Sequence, residues 1–272
     1  MKKLLLTLVV LLSGFGIKAL DQLQNIENNA FTTGEKLTFK LYYSSFMTGN
    51  VTAGIMKSEI NKKKYLVRGD TTLYVKVVGE TKGAFNWFFK VHDVYQTFID
   101  EKLLIPRYFS QRIKEGDYEA SRDVRFFHEK GKAFYINNKN NHSDTVPIGY
   151  NVQDLISAIY YARTFNADTL KINDKISIPF FLDDTVYNTQ LKYIGKESVK
   201  TSLGTVRCLK FNPSVLTGGV FKDDNKLIVY ISDDNNHLPV LAESEVMVGK
   251  VKIELIKYSG LKNAFSSKTG KH

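Results

Sequence analysis

The stretch YFSQRIKEGDYEASRDVRFFHEKGKAFYI, residues 108–136, decides the fold. Apolar and polar side chains alternate over residues 108–113, 118–127 and 133–136, which is the period of a strand with one buried face. Glu115–Gly116–Asp117 and Glu129–Lys130–Gly131 separate these segments with residues that favour tight hairpin turns. Strands joined by such short turns pair antiparallel. The stretch therefore predicts three neighbouring strands of a meander.

The same alternation extends in both directions along the chain. Further period-two segments occupy residues 37–41, 51–55, 65–68, 72–78, 91–99, 176–182, 186–194, 206–211, 227–231, 240–248 and 251–258. Together they predict about fourteen strands joined by short turns. Because strands do not alternate with long helices, a parallel sheet is not expected. We predict a mainly β protein, a large antiparallel meander that forms a barrel-like or half-barrel sheet within a single domain, residues 20–263.

One segment near the middle of the chain has helical spacing. Leu155, Ile156, Ile159 and Tyr160 form an apolar stripe, which predicts a short central helix over residues 152–163 that packs against the sheet. Asn151 is the expected N-cap, with Asp154 in the first turn, where a carboxylate is favourable.

The two ends of the chain differ from the predicted domain. Lys2 and Lys3 precede the apolar run 4–12 and the small residues that lead to Ala19, in the order of a secretory signal peptide. The run is shorter than the roughly 20 residues that span a bilayer. We predict a signal peptide over residues 1–19, cleaved near Ala19, and export to the periplasm without a stable membrane anchor. Secretion and an uncleaved N-terminal anchor are the alternatives. The polar tail 264–272 is expected to be disordered.

Charge and cysteine content limit the classes of function. The formal net charge is +10, but lysine is spread along the chain, whereas nucleic-acid-binding proteins concentrate it on one face. No nucleic-acid partner is expected. Cys208 is the only cysteine, so no internal disulfide forms, and its alternating context favours a buried apolar role. The histidines lack the spacing of a metal site, and no cofactor or phosphate-binding motif is present.

Aromatic residues supply the main candidate site. On a strand, Phe85, Trp87 and Phe89 would share one face, and Phe180 and Phe181 form a second aromatic pair after Pro179. These five residues are candidates for binding an apolar or lipid-like ligand inside the sheet. The alternative is that they pack in a closed core.

A polar loop supplies a second candidate site. Asp233, Asp234 and His237 bring carboxylates and an imidazole close together in sequence. Asp and Asn side chains also stabilise turns by bonding the local backbone, so a simple turn is the alternative. No nucleophile motif accompanies these residues, so no catalytic residue is assigned and an enzyme is not favoured.

Several stretches together resemble one exported bacterial family, the domain of unknown function 3108. The stretches are FTTGEKL at 31–37, the glycine-bearing segment 49–54, the strand 91–100, the helix DLISAIYYAR at 154–163, GKE at 195–197 with LG at 203–204, and ISDD at 231–234 leading to LPV at 238–240. The resemblance implies an antiparallel β fold in the bacterial envelope. It implies no activity, substrate or catalytic residue.

Three functions follow from these observations. The first is a binding or carrier module for an apolar or amphipathic ligand, either lipid-like or a peptide. The second is an envelope scaffold that holds a protein partner through a sheet edge or loop. The third is a hydrolase of envelope glycans or peptides, which requires Asp233, Asp234 and His237 to meet in a cleft.

Overall fold

The computed structural model describes residues 23–46, 49–83, 85–217, 220–221, 227–247 and 249–270, so the signal peptide predicted over residues 1–19 lies outside the described residues. The strands β1 to β15 are Lys36–Ser45, Gly49–Val67, Asp70–Thr81, His92–Asp100, Pro106–Glu115, Tyr118–Phe127, Lys132–Asn137, His142–Pro147, Lys175–Leu182, Thr185–Thr201, Gly204–Thr217, Val220–Phe221, Leu227–Ser232, Pro239–Glu245 and Lys250–Ser259. The helices are α1 (Phe85–Phe88) and α2 (Leu155–Ala162), and His128–Lys130 form a 3₁₀ turn.

The strands form one antiparallel sheet in the order β8-β7-β6-β5-β4-β3-β2-β1-β15-β14-β13-β11-β10-β9, with β12 paired to β11. The first and last strands meet in the middle of the sheet, where Lys36 pairs with Ser259 and Ser44 with Lys250. The edges are β8 and β9, which do not pair with each other among the described residues. The sheet is therefore open, and the predicted large antiparallel meander with a half-barrel form is confirmed.

Alternating burial explains why these segments are strands. In β3, Leu73, Val75 and Val77 are buried, whereas Lys76 between them is exposed. The buried face of β3 belongs to the main core, together with Phe109 of β5. Side chains from both halves of the sheet meet in this core, since Phe181 of β9 lies edge-on to Phe126 of β6 at 5.8 Å. Packing thus joins the two halves across the concave face, although β8 and β9 do not pair.

Helix α2 lies in the connection between the two edge strands. Its N-cap is Asp154, whose Oδ1 accepts hydrogen bonds from the backbone N–H groups of Ile156 and Ser157, both at 2.8 Å. The Ser157 hydroxyl and the Asp154 backbone N–H, 2.8 Å apart, complete a capping box. The prediction of Asn151 as the cap was therefore wrong. The helix starts three residues later than predicted and extends over Leu155–Ala162.

Burial affects the Asp154 carboxyl strongly. The residue is fully buried, and this burial raises its pKa to about 6, although hydrogen bonds from Thr97, Ser157 and Ile156 act in the opposite direction. The Thr97 hydroxyl of β4 donates to Oδ2. The cap therefore fixes the start of α2 directly on the sheet.

One face of α2 packs into the main core. Ile156 and Tyr160 are buried there, and the Tyr160 ring lies edge-on to Phe31 at 5.0 Å. The Tyr160 and Ser58 hydroxyls are 2.9 Å apart, which connects the helix to β2. Ile159 is 45% exposed, so the predicted apolar stripe is narrower than expected. The predicted packing of the helix against the sheet is nevertheless observed.

A buried ion pair holds the end of α2. Arg163 donates to both oxygens of Glu35, at 2.6 and 2.7 Å, and both residues are buried. Its remaining donors bind the backbone carbonyls of Ala30 at 3.2 Å and Asn236 at 3.0 Å. One guanidinium thus joins the helix, the segment before β1 and the β13–β14 turn.

The C-terminal segment is not the disordered tail that the sequence suggested. Over residues 264–270 the backbone follows β11, with Arg207 N–H donating to the Ser267 carbonyl and Thr269 N–H to the Thr205 carbonyl, both at 2.9 Å. Ser267 is fully buried. The Ser267 hydroxyl donates to Asp234 at 2.7 Å, a contact between residues far apart in the sequence that the composition of the segment does not reveal. Residues 271–272 lie outside the described part of the chain.

Candidate functional site

The predicted aromatic strand is a helical turn. Strand β3 ends at Thr81, and Phe89 N–H donates to the Phe85 carbonyl at 2.8 Å, which closes the single turn of α1. Thr81 closes the base of this loop, because its hydroxyl oxygen accepts from Val91 N–H at 2.9 Å and lies 3.1 Å from the Asn86 amide oxygen. The period-two spacing of Phe85, Trp87 and Phe89 therefore does not place them on one face of a strand.

These aromatic side chains are exposed. Phe85 is 38% exposed, Phe89 51%, Phe88 86% and Trp87 89%. The Phe89 ring packs over Gly116 in the β5–β6 turn, where a Cβ atom would lie 3.1 Å from its Cε2. At 89% exposure, Trp87 is neither packed in a closed core nor enclosed in an interior cavity. The expectation that these residues line a cavity inside the sheet was wrong, because the loop carries them beyond the end of the strands.

Other exposed apolar residues lie at the same end of the sheet. Because Ser45 pairs with Gly49, Gly54 with Thr81, and Glu245 with Lys250, the β1–β2, β3–β4 and β14–β15 connections share one end. Phe46 and Met247 are fully exposed there, and Val246 is 45% exposed. We call the set Phe46, Phe85, Trp87, Phe88, Phe89, Val246 and Met247 the apolar rim.

Phe180 and Phe181 do not belong to the rim. They point to opposite faces of β9: Phe181 is buried in the main core, whereas Phe180 is half-buried and stacks on Tyr187 at 5.7 Å. Phe181 therefore has the packing role that the sequence left as the alternative. The five aromatic candidates do not form one site.

Asp233, Asp234 and His237 lie close together in the β13–β14 turn, but each of them binds different neighbouring residues. Asp233 forms ion pairs with Lys196 at 3.0 Å and Arg207 at 2.8 Å. Burial acts to raise the pKa of Asp233, but hydrogen bonds from these two cations hold it below its usual value. The carboxylate of this residue is thus engaged with surface cations.

Asp234 and His237 stabilise the β13–β14 turn. Asp234 accepts from Ser267 Oγ at 2.7 Å, from Ser232 Oγ at 3.0 Å and from the Asn236 backbone N–H at 3.0 Å. The Nδ1 of His237 lies 2.7 Å from the Arg163 carbonyl oxygen. Because each polar group has a structural partner, the geometry favours the turn over a catalytic cleft.

Cys208 and His128 are two further chemistry-bearing residues, and both are buried. Burial raises the pKa of Cys208 to about 12 and lowers that of His128 to about 4, so the first stays a thiol and the second a neutral ring. Across the described ranges, no group of three His, Cys, Asp or Glu residues could hold a metal ion. Within the same part of the chain, no helix is long and apolar enough to cross a membrane.

Two grooves lie away from the rim. One, of about 370 Å³, lies on β2 and β3, and Lys57, Glu59, Lys76 and Glu80 give it a charged lining. The other, of about 310 Å³, lies between the N-terminal segment and the β4–β5 turn and includes Leu23, Ile26 and Leu103. The rim residues line neither groove.

A family model identifies the family of the chain, and one solved structure, with a TM-score above 0.5, supports its fold. The family described as "Protein of unknown function (DUF3108)" matches residues 38–256. A β-barrel-like protein of domain of unknown function DUF1849 from Brucella abortus superposes with a TM-score of 0.54 at 13% identity, covering 84% of this chain and 98% of that one. A "putative exported protein with YmcC-like fold" from Bacteroides fragilis gives a TM-score of 0.34 at 9% identity, covering 87% and 99%. No curated protein sequence matches the chain significantly.

Proposed function

Because the chain belongs to the DUF3108 family, which is described as being of unknown function, we propose a function from the site itself: the protein binds an apolar or amphipathic ligand through its apolar rim. The proposed location is the periplasm, as the signal peptide predicted over residues 1–19 indicates. The observation that carries the proposal is the exposure of Trp87 and Phe88, at 89% and 86%.

Exposure of these aromatic rings to water is energetically unfavourable. Burying a large apolar side chain is worth about 1.5–3 kcal/mol, and contiguous apolar surface on a soluble protein usually marks a binding site. Phe85 and Phe89 adjoin Trp87 and Phe88 on the same loop, so a ligand that covers the loop contacts several rings together. Indole also carries an N–H donor, which suits a ligand with one apolar and one polar part.

The rim suits such a ligand better than the groove on β2 and β3. The lysine and glutamate side chains that line that groove would lose hydration against an alkyl chain. The rim loop from residue 83 to residue 89 contains no charged side chain. An apolar ligand therefore meets no desolvation penalty from ionised groups there.

The test follows the fluorescence of Trp87, the only tryptophan of the chain, as the signal of ligand binding. Dodecylphosphocholine, kept below its critical micelle concentration, is titrated into the exported, processed protein. We expect Trp87 emission to move to shorter wavelength with a saturable dependence, because the indole leaves water.

Two variants make the test specific. Phe88→Ser should weaken binding about tenfold, since it removes one partly inserted aromatic side chain. Leu66→Ser removes a side chain that is 74% exposed at the other end of the sheet, and it should leave the affinity unchanged. Unaltered emission in the wild-type protein, or equal losses in the two variants, would contradict the proposal.

A further inference from the structure

The exposed rim coincides with uncharged runs of sequence. Residues 41–56, 83–89, 211–221 and 246–249 contain no Asp, Glu, Lys, Arg or His. The first, second and fourth runs contain the rim residues of the β1–β2, β3–β4 and β14–β15 connections. The third run enters the β11–β12 connection, where residues 218–219 lie outside the described part of the chain.

These four connections are neighbours at one end of the sheet. The β11 strand reaches this end because Leu216 pairs with Asn188 near the start of β10, while Gly204 pairs with Thr201 at the other end. In the sheet order, the connections follow one another from β4 to β11. Strands lie about 4.8 Å apart, so the β3–β4, β1–β2 and β14–β15 connections, which hold the rim residues, follow one another about 10 Å apart and extend over about 20 Å.

The opposite end of the sheet has a different character. Its β4–β5, β6–β7 and β13–β14 connections carry Glu101, Glu129, and Asp233 with Asp234, and its β2–β3 turn carries Arg68, whereas its β10–β11 turn of Ser202 and Leu203 is uncharged. The apolar end is also bounded along the sheet, because the β5–β6 turn carries Asp117 and the β12–β13 connection carries Asp223 and Asp224. Charge is thus missing from the tips of the β1–β2, β3–β4 and β14–β15 connections, which lie between these two acidic connections.

Lysine borders these uncharged runs. Seven of their eight flanking residues are lysines, namely Lys40, Lys57, Lys82, Lys90, Lys210, Lys222 and Lys250, and the eighth is Glu245. Lys82 and Lys250 pair with Glu80 and Glu243, whereas Lys90 is exposed and has no ion pair with any described residue. Each tip is apolar or aromatic, and lysine follows it toward the sheet. This order matches a lipid leaflet, in which the alkyl chains lie deeper than the phosphates.

We propose that the apolar rim docks end-on onto the surface of a lipid bilayer, with the hairpin tips among the lipid chains and Lys90 at the phosphates. This proposal rests on the proposed function, because it identifies the amphipathic ligand of the rim as lipid assembled in a bilayer. Separate tips about 10 Å apart fit a fluid interface, which closes around each of them. A folded protein partner would need a matching groove for each tip. Because three of the six flanking lysines with described side chains already have acidic partners, apolar insertion supplies most of the binding and anionic lipid strengthens it modestly.

The experiment measures partition of the processed protein onto vesicles by co-sedimentation. Phosphatidylcholine vesicles are compared with vesicles that also contain phosphatidylglycerol. We expect binding to both, a few-fold stronger with phosphatidylglycerol. The triple variant Phe46→Ser, Trp87→Ser, Met247→Ser should lose about a thousandfold in the partition coefficient, since each of the three exposed side chains contributes about tenfold.

Leu66→Ser and Ile172→Ser are the matched controls, because both remove exposed apolar side chains away from the rim. Their partition should equal that of the wild type. Binding of monomeric dodecylphosphocholine without binding of vesicles would overturn bilayer docking and leave the proposed function standing. Failure to bind either one would overturn both. Vesicle binding by the triple variant at the wild-type level would overturn docking through the rim. A wild-type protein that does not bind vesicles but cross-links from position 88 to one envelope protein would also overturn it.

Discussion

Removal of the Arg163 charge should destabilise the protein severely. Arg163 donates to both carboxylate oxygens of Glu35 and to the carbonyls of Ala30 and Asn236. Arg163→Met keeps much of the side-chain volume but leaves the Glu35 carboxylate buried without its cation. It also leaves two buried carbonyls without their guanidinium donor.

The structure sets the size of the effect. Loss of one partner from a buried ion pair costs about 3–5 kcal/mol, because the other charge remains desolvated. Both side chains here are almost completely buried, at 2% and 0% exposure, so the upper part of that range applies. For a protein of this size, we expect the melting temperature to fall by about 10 °C. The double variant Glu35→Leu, Arg163→Met removes both charges and should recover at least about 2 kcal/mol of the loss.

The assay is urea unfolding followed by far-UV circular dichroism. Trp87 is already exposed in the folded protein, so its fluorescence would report unfolding poorly. The matched control is Arg207→Met, which removes an ion pair to Asp233 at 2.8 Å from an arginine side chain that is 45% exposed. That variant should lose at most about 1 kcal/mol. Equal losses in Arg163→Met and Arg207→Met would refute the role given to the buried pair.

Three further predictions concern Asp154, Asp234 and Cys208. The pKa of Asp154 is raised to about 6 in the folded protein, so its folded state binds a proton more tightly than the unfolded chain and stability falls as pH rises from about 4 to about 6. Asp154→Asn keeps a good N-cap but cannot titrate. In urea unfolding at pH 4 and at pH 6, the stability of this variant relative to the wild type should improve by about 2–3 kcal/mol from the lower to the higher pH. The same stability difference at both pH values would contradict this prediction. Asp234→Ala should cost about 2 kcal/mol in urea unfolding, because Ser267 and Ser232 lose their acceptor, while dodecylphosphocholine affinity stays unchanged; weakened binding at full stability would give the loop a functional role. Cys208 should resist thiol reagents in the folded protein and react fully in urea, since it is buried and its pKa is raised to about 12; rapid native labelling would refute this.

The sequence revealed the strands because one side of nearly every strand is buried. The alternation of Leu73, Val75 and Val77 with polar neighbours states directly which face meets the core. Turn residues such as Glu115–Gly116–Asp117 then limited the pairing to an antiparallel meander. These are local signals, and they required no knowledge of distant partners.

The sequence-based predictions were wrong where a local pattern fits two structures, or where a contact with a residue far away in the sequence determines the structure. Phe85, Trp87 and Phe89 have strand spacing, but the Thr81 hydrogen bond and the single helical turn place them on an exposed loop. Asn151 and Asp154 are both good caps, and Thr97 of β4 selects Asp154.

Long-range pairs could not be found from local patterns at all. Arg163 and Glu35 are separated by 128 positions, and no periodicity connects them. Ser267 and Asp234 likewise come into contact only in the folded chain. For this reason the sequence predicted a disordered C-terminal tail. The rim itself follows from sheet order, since residues 46, 87 and 247 come together only through strand pairing.

The most direct test of binding at the rim is contact between Trp87 and the apolar part of the ligand. A dodecylphosphocholine analogue with bromine in its alkyl chain quenches tryptophan only at close range, and it can be added to the processed protein below its critical micelle concentration. We predict that Trp87 emission is quenched in the wild type and in Leu66→Ser, and that quenching is largely lost in Phe88→Ser at the same concentration. Analogue binding detected by calorimetry with Trp87 left unquenched would place the ligand elsewhere and contradict the account.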